Sequence, residues 1–271
     1  MIYLDKHFQR HWAGKNLFRE AGLLEGEIFR VIKNRRTFRF KIAGKSYFAK
    51  VHHGVGWGEI FKNIIMFKKP VVSARNEYEC ILRLEKLGID TMKIAAFGEK
   101  GKNPAKKESF IITEELTNVV SVEDICKDWK NDPAEFLFKK ALIEHLAEVS
   151  RILHQNRIIH RDYYICHFLL DISKRTKNIV PQKIRTYLID LHRAQILTKR
   201  SFRWIVKDIG GLWFSAMDAG LTKTDRFRFM KIYSGKTLRD LIQNDSKFWN
   251  KVQTRAERMY RKEFLRKEGE H

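Results

Sequence analysis

Apolar and polar positions alternate through the segments that follow Leu24. Glu27–Asn34, Arg36–Ile42 and Ser46–His52 are short, rich in β-branched and aromatic residues, and separated by polar turns, which predicts three strands. Ala43–Gly44–Lys45 suits a tight hairpin connection between the second and third. The period then changes. Ser73–Leu87 sets Tyr78, Ile81, Leu82, Leu84 and Leu87 broadly on one face, with Ser73 as its cap and Gly88 as its stop, and predicts a helix. Ile94–Gly98 and Phe110–Glu115 read as further strands, the second buried by composition. Beyond Thr117 the signals turn helical. Phe136–His154 carries Leu142, Leu146, Val149 and Leu153 at spacings of three and four. Phe168–Asp171 and Thr186–Leu191 read as short buried strands, and Lys207–Ala219 and Thr222–Tyr233 as helices. There is no internal repeat, and four prolines are too few for a Pro-rich linker. The expected class is α+β, with a small β-rich lobe over residues 1–116 and a mostly helical lobe over 117–271.

Composition narrows the partners. Of 271 residues, 44% are apolar and 12% aromatic, enough for a core, which excludes global disorder. Lys and Arg number 54 against 32 acidic residues, and the resulting +22 implies an anionic partner: nucleic acid, a phosphorylated glycolipid, an acidic membrane face or an acidic protein. Cys80, Cys126 and Cys166 have no paired spacing, so a disulfide framework or CxxC zinc site is not expected and a reducing compartment is. The opening MIYLDKHFQRHWAGK lacks an apolar run of signal-peptide length, and no stretch approaches the ~18 apolar residues of a membrane span. The expectation is a cytoplasmic protein, soluble or peripheral to a membrane.

The strongest chemical signal is His160–Arg161–Asp162, with His167 shortly after it and Asp190 on a second apolar strand, in YLIDLHRA. This is the layout of a kinase catalytic loop followed by a metal-binding aspartate. Phosphoryl transfer needs one carboxylate to orient the attacking hydroxyl and accept its proton. It needs a second to hold a metal that bridges the phosphates. Either triplet alone would read as a surface cluster; in this order, on these elements, they read as a site. Lys50, in YFAKV, stands mid-strand where a lysine gripping the α- and β-phosphates would stand, though strand alternation alone also allows it to face solvent. An inward lysine needs a carboxylate, and Glu77 on the following helix is favoured over Glu79 because of the face carrying Ile81 and Leu84. By position, FIITEEL would form a hinge, with backbone groups of Glu114 and Leu116 on the adenine edge. The turn Lys33–Asn34–Arg35–Arg36–Thr37 lacks a glycine-rich loop; either the Arg35 and Arg36 guanidiniums bind phosphate instead, or this is a solvated hairpin tip. Gly44–Lys45–Ser46 is no P-loop, because position 39 is Arg and a strand follows. Gly54–Val55–Gly56–Trp57–Gly58 has the wrong spacing for a dinucleotide fingerprint and reads as a loop.

The stretches RRTFRF, AGKSYFAKVHHG, DTMKIAAFGEKG, SFIITEEL, HRDYYICHFLLD, LIDLHRAQI and KDIGGLWFSAMDAGLT resemble the lipopolysaccharide core heptose(I) kinases of Gram-negative bacteria, over roughly residues 1–235. That resemblance implies a protein-kinase-like two-lobed fold, ATP as donor and the first heptose of the inner core as acceptor. It implies Asp162 as base, Lys50 and Glu77 as the phosphate-gripping pair, Asp190 as a metal ligand, and Asp208 as a brace for the catalytic loop. His167 stands where kinases carry asparagine, and either ligates Mg2+ or a softer ion such as Mn2+, or braces the loop. An acceptor bearing carboxylates and phosphates suits the +22 charge. So do an anionic membrane surface, at the cytoplasmic face of the inner membrane, and acyl carrier protein, an acidic partner of family members. The C-terminal segment Trp249–Lys267 is either an amphipathic surface helix or a helix packed on its own domain. Two rival readings remain: a kinase of the same fold acting on another sugar or on protein tyrosine, and a basic nucleic-acid-binding module or inactive scaffold. Against the module stands the lack of any recognition-helix, zinc-finger or RNP pattern, so nucleic acid is not expected as a partner.

Overall fold

The alternating segments pair into one antiparallel sheet. The computed structural model describes residues 1–32, 34–65, 70–173 and 184–269. Two units emerge: Met1–Arg83 with Met92–Thr117 and Leu191–Arg193, and Leu84–Thr91 with Asn118–Asp190 and the chain from Ala194 onward.

The first unit opens with β1 (Ile2–Leu4), α1 (Lys6–His11) and α2 (Leu17–Leu23). Asp5 caps α1 by accepting the Phe8 amide at 2.8 Å, and Asn16 caps α2. Then come β2 (Glu27–Ile32), β3 (Arg35–Ile42), β4 (Lys45–His53), α3 (Gly56–Ile65), α4 (Arg75–Lys86), β5 (Ile94–Lys100) and β6 (Glu108–Glu114). The sheet order is β1-β5-β6-β4-β3-β2, antiparallel throughout. Ala43 and Gly44 both take positive φ in the β3–β4 turn, the conformation that matches hairpin twist. Tyr47, Ala49 and Val51 point to one face and join Phe38, Phe40, Phe110 and Ile112 in a core closed by Phe8 of α1 and Trp12 just after it. Lys50 and His52 therefore point to the other face. The Gly54–Gly58 segment corrects the sequence reading: helix α3 starts at Gly56 where a loop is expected. Two glycines weaken a helix by about 1 kcal/mol each. Here Gly56 stands at the helix start with φ 74°, where glycine is favoured, and the helix is seated by buried Ile60 and by the Glu59–Arg35 pair.

One buried carboxylate seats α4. Glu99 on β5 accepts from Ser73 Oγ at 2.6 Å and from Arg75 Nε and NH2 at 3.0 and 2.6 Å, while the Ala74 amide donates to Ser109 Oγ at 3.0 Å. Burial works to raise the Glu99 pKa, but hydrogen bonds from Arg75 and Ser73 and the nearby Arg75 and Lys107 charges leave it lowered. The Tyr78 ring stacks on Phe97 at 4.1 Å and fixes the rotation of the helix on the sheet.

The second unit comprises β7 (Val119–Ser121), α5 (Val122–Cys126), α6 (Phe136–Gln155), β8 (Ile158–Ile159), β9 (Phe168–Asp171), β10 (Thr186–Leu188), β11 (Gln195–Ile196), α7 (Phe202–Ser215), α8 (Lys223–Ser234), α9 (Leu238–Asn244) and α10 (Ser246–Gly269). Its sheets are small, β10-β9-β7 and β11-β8. Helix α6 buries Leu142, Leu146, Ala147, Val149 and Leu153, the face its spacing predicts. Helix α7 begins at Phe202, before the predicted Lys207, and the predicted strand Thr186–Leu191 stops at Leu188. Of the two readings of the C-terminal segment, the structure takes the packed one. Trp249, Val252 and Ala256 are 5%, 0% and 0% exposed on the α10 face that meets α7. The approach is close: a Cβ on Gly210 would lie 2.8 Å from the Arg255 side chain.

Truncating this seam should weaken the fold. Val252→Ala is expected to cost about 1–3 kcal/mol through lost burial and the cavity left behind, whereas Phe264→Ala, at a side chain 54% exposed, should stay within about 0.5 kcal/mol. Urea midpoints compare the two; the reverse order would mean that α10 does not dock through Val252.

Candidate active site

Strand β4 aims Lys50 away from the aromatic core, and α4 meets it with a carboxylate. Lys50 Nζ donates to Glu77 Oε1 at 2.7 Å, and Glu77 is nearly buried. Glu79, the alternative, is exposed and lies 3.8 Å from Arg75. The face argument thus selects the residue that the geometry joins to Lys50. Along the same strand face lies His52, buried and with Nδ1 lacking a hydrogen-bond partner among the described residues. Burial first, then the charges of Arg35, Lys50, His192 and His53, hold its pKa down to about 3. The neutral ring adds no charge beside Lys50.

Arg35 and Arg36 each donate within the first unit. Arg35 NH2 bonds Glu59 Oε1 at 2.6 Å and the Val71 carbonyl at 2.9 Å. Arg36 NH2 bonds the carbonyls of Gly22 and Leu24, and its guanidinium lies 4.8 Å from the Phe38 ring centroid. These contacts tie the β2–β3 hairpin to its own unit; Lys33 lies outside the described residues. Near the end of β6 the Glu114 amide donates to the Lys93 carbonyl at 2.9 Å, and its carboxylate lies 3.5 Å from Lys93 Nζ. Leu116 follows in irregular backbone and is half-buried.

In the second unit a different carboxylate organises the chain. Asp208, on α7 and 1% exposed, accepts the amides of His160 at 2.7 Å and Arg161 at 2.9 Å, and lies 3.4 Å from His154 Nε2. This is the bracing that the resemblance implies. Arg161 takes a left-handed φ of 75°, which costs a non-glycine residue of order 1 kcal/mol and which the two Asp208 bonds hold in place. His160 is fully buried, with Nε2 2.9 Å from the Ile189 carbonyl; burial lowers its pKa. Its ring stacks on His167 at 5.7 Å.

His167 is placed by two neighbours. Nδ1 lies 2.6 Å from the Asp162 carbonyl oxygen, so Nδ1 carries the proton and donates. Nε2 then faces Asp190 Oδ2 at 3.7 Å. In the neutral ring this sets a lone pair against a carboxylate, an arrangement that needs a proton or a metal cation to be favourable. Asp190 itself has a left-handed φ of 58°. Asp162, His167 and Asp190 are thus gathered at one place in the second unit, and Lys50 and Glu77 at one place in the first. No trio of His, Cys, Asp and Glu among the described residues forms a metal cage. A hard ion at Asp190 and His167 would therefore take further ligands from phosphate and water, as magnesium does. Asp190 offers the oxygen donor such an ion prefers, and the His167 nitrogen suits a softer ion such as Mn2+ better. Sequence reasoning missed the Glu99 clamp and the Tyr163–Ser150 hydrogen bond of 2.8 Å beneath the loop, because both join segments with no shared motif.

His52 gives a pH signature. Its folded pKa near 3 lies below the ~6.5 of an unfolded chain, so across that window the unfolded state binds more protons. Stability should therefore fall as pH drops below about 6.5, at up to about 1.4 kcal/mol per pH unit for one proton. Buried His160 adds in the same direction. In His52→Gln, urea midpoints between about pH 6.5 and 4 should fall less steeply than in the wild type; an equal slope would mean that the ring is not the group protonated on unfolding.

Residues 20–233 match the family model described as lipopolysaccharide kinase (Kdo/WaaP) family. The lipopolysaccharide core heptose(I) kinase WaaP of Escherichia coli is 44% identical over 256 residues, covering 94% of this chain and 96% of its own. The enzyme of the same name from Pseudomonas aeruginosa PAO1 is 39% identical over 259 residues, covering 96% of each. A solved structure of WaaP in complex with acyl carrier protein superposes with a TM-score of 0.84 at 35% identity, over 96% of this chain and 99% of that one. With a fold and a near-full-length sequence shared at this level, the chain belongs to the lipopolysaccharide kinase (Kdo/WaaP) family.

Proposed function

We propose that this chain is an ATP-dependent kinase that phosphorylates the first heptose of the lipopolysaccharide inner core. The observation that carries the reading is the cluster of Asp162, His167 and Asp190 hung from Asp208, in a chain 39–44% identical to core heptose(I) kinases. Asp162 orients the heptose hydroxyl and accepts its proton as the oxygen attacks the γ-phosphorus, and the bond from that phosphorus to the β–γ bridging oxygen breaks to release ADP. Lys50, kept charged and aimed by Glu77, grips the α- and β-phosphates. The backbone of Glu114 and Leu116 takes the adenine edge. Asp190 and His167 would hold Mg2+, or Mn2+, which when bound neutralises charge on the transferring phosphates.

Partners follow from charge. The +22 surplus suits a phosphorylated glycolipid in an anionic membrane surface, each Lys or Arg near such a surface contributing ~1 kcal/mol. Among the described residues no helix is long and apolar enough to cross a membrane, so the attachment proposed is peripheral, on the cytoplasmic face of the inner membrane. Acyl carrier protein, found with the solved WaaP, is proposed as a second partner.

Asp162→Ala should lower transfer to core heptose by ~10²–10⁴ while ATP affinity stays within a few-fold, since the base acts on the acceptor. Mass spectrometry of core oligosaccharide, with a nucleotide-binding assay, reads both; near-wild-type turnover would remove Asp162 from its role. In His167→Asn an amide oxygen replaces an imidazole nitrogen, so the ratio of initial rates with Mn2+ and Mg2+ should move toward Mg2+. An unchanged ratio with a lowered melting temperature would make His167 a loop brace only.

A further inference from the structure

Helix α3 carries an apolar ridge that no described residue of its own unit covers. Trp57, Phe61, Ile64 and Ile65 recur at i, i+4, i+7 and i+8, the spacing of one helix face, and are 50%, 56%, 54% and 76% exposed. Ile60, at the edge of that face, is the member that buries, against Val55, Ala105 and Val72. The Trp57 and Phe61 rings stack at 5.7 Å and make one continuous surface. The helix is nonetheless firmly seated. Glu59 in its first turn pairs with Arg35 at 2.6 Å, and a Cβ on Gly54, just before it, would lie 2.7 Å from the Ala105 carbonyl oxygen. A soluble helix with this pattern turns its apolar face to the core. Here the ridge is presented outward.

We propose that α3 is a membrane-docking helix whose ridge enters the headgroup region of an anionic phospholipid bilayer. Three observations select lipid as the occupant. The ridge joins a tryptophan to phenylalanine and isoleucines, the amphipathic and aliphatic pairing suited to a bilayer interface. Charge is complementary: Lys62 stands on the other side of the helix, and the whole chain is +22. The family acts on a lipid-anchored sugar, yet among the described residues no helix spans a membrane and the apolar face of α10 is already buried on α7. An acidic carrier protein would seek the cations rather than the ridge, and a second copy of the chain would bring the same positive charge to the contact. The inference rests on the lipid nature of the substrate and not on which hydroxyl receives the phosphate.

Vesicle sedimentation with the full-length protein tests it. Sucrose-loaded vesicles of phosphatidylethanolamine and phosphatidylglycerol should bind the wild type and bind Phe61→Gln/Ile65→Gln about tenfold or more weakly, with equal melting temperatures because both side chains are largely exposed. Vesicles containing brominated phosphatidylglycerol should quench tryptophan fluorescence in the wild type and markedly less in a Trp57→Phe variant that still sediments. Equal vesicle binding by the double variant, or quenching indifferent to Trp57, overturns the proposal. So does a wild-type dimer that the double variant dissolves, or a loss of binding to purified acyl carrier protein with vesicle binding unchanged. Each readout is independent of kinase activity, so failure of the heptose assignment would leave it standing.

Discussion

A carboxylate taken out of water costs several kcal/mol unless donors meet it, and Asp208 is met by the amides of His160 and Arg161 at 2.7 and 2.9 Å. Those two bonds do more than satisfy a buried charge. They fix the backbone where it must turn through the left-handed region at Arg161, so that Asp162 follows in a defined direction. The Asp162 carbonyl then orients the His167 ring, and His167 Nε2 faces Asp190. A chain of placements thus runs from one α7 side chain to the carboxylates proposed to do the chemistry. Removing Asp208 would leave two buried amides without acceptors as well as a strained loop without its hold.

The first unit uses the same physics for a different end. Glu99 gathers Ser73, Arg75 and Lys107 at the start of α4, and the Tyr78–Phe97 stack sets its rotation. Glu77 is delivered to Lys50 as a consequence. In both units a buried acid away from the reacting groups positions those proposed to act, and in both it is met by several donors rather than one. Arg35 and Arg36 show the converse. Their guanidiniums are engaged by Glu59 and by carbonyls of the first unit, and the hairpin gains rigidity from them.

The disposition of apolar surface separates two helices that look alike as sequences. Both α3 and α10 pair aromatic and aliphatic residues with cations. Helix α10 closes Trp249, Val252 and Ala256 onto α7 at a contact where a Cβ on Gly210 would crowd the Arg255 side chain. Helix α3 seats Ile60 and leaves Trp57, Phe61, Ile64 and Ile65 outward. For a kinase whose family acts on a glycolipid, that difference assigns them separate tasks.

Much of this was legible before any coordinates. Strands β3 and β4 and helices α4 and α6 follow from period two and period 3.6, because each buries one face and the burial itself imposes the period. The grouping of His160–Arg161–Asp162 with His167 was legible because the loop is local in sequence, and the choice of Glu77 over Glu79 because helix faces are. Tertiary structure decided the rest. The extent of α3 was hidden by its glycines, and α1 and α2 by their short length. Whether Arg35 and Arg36 would be free, which surface α10 would cover, and that Glu99 would anchor α4 all depend on partners distant along the chain. Periodicity reports what a segment must bury; it carries no information about which distant donor, acceptor or apolar face will be there to meet it.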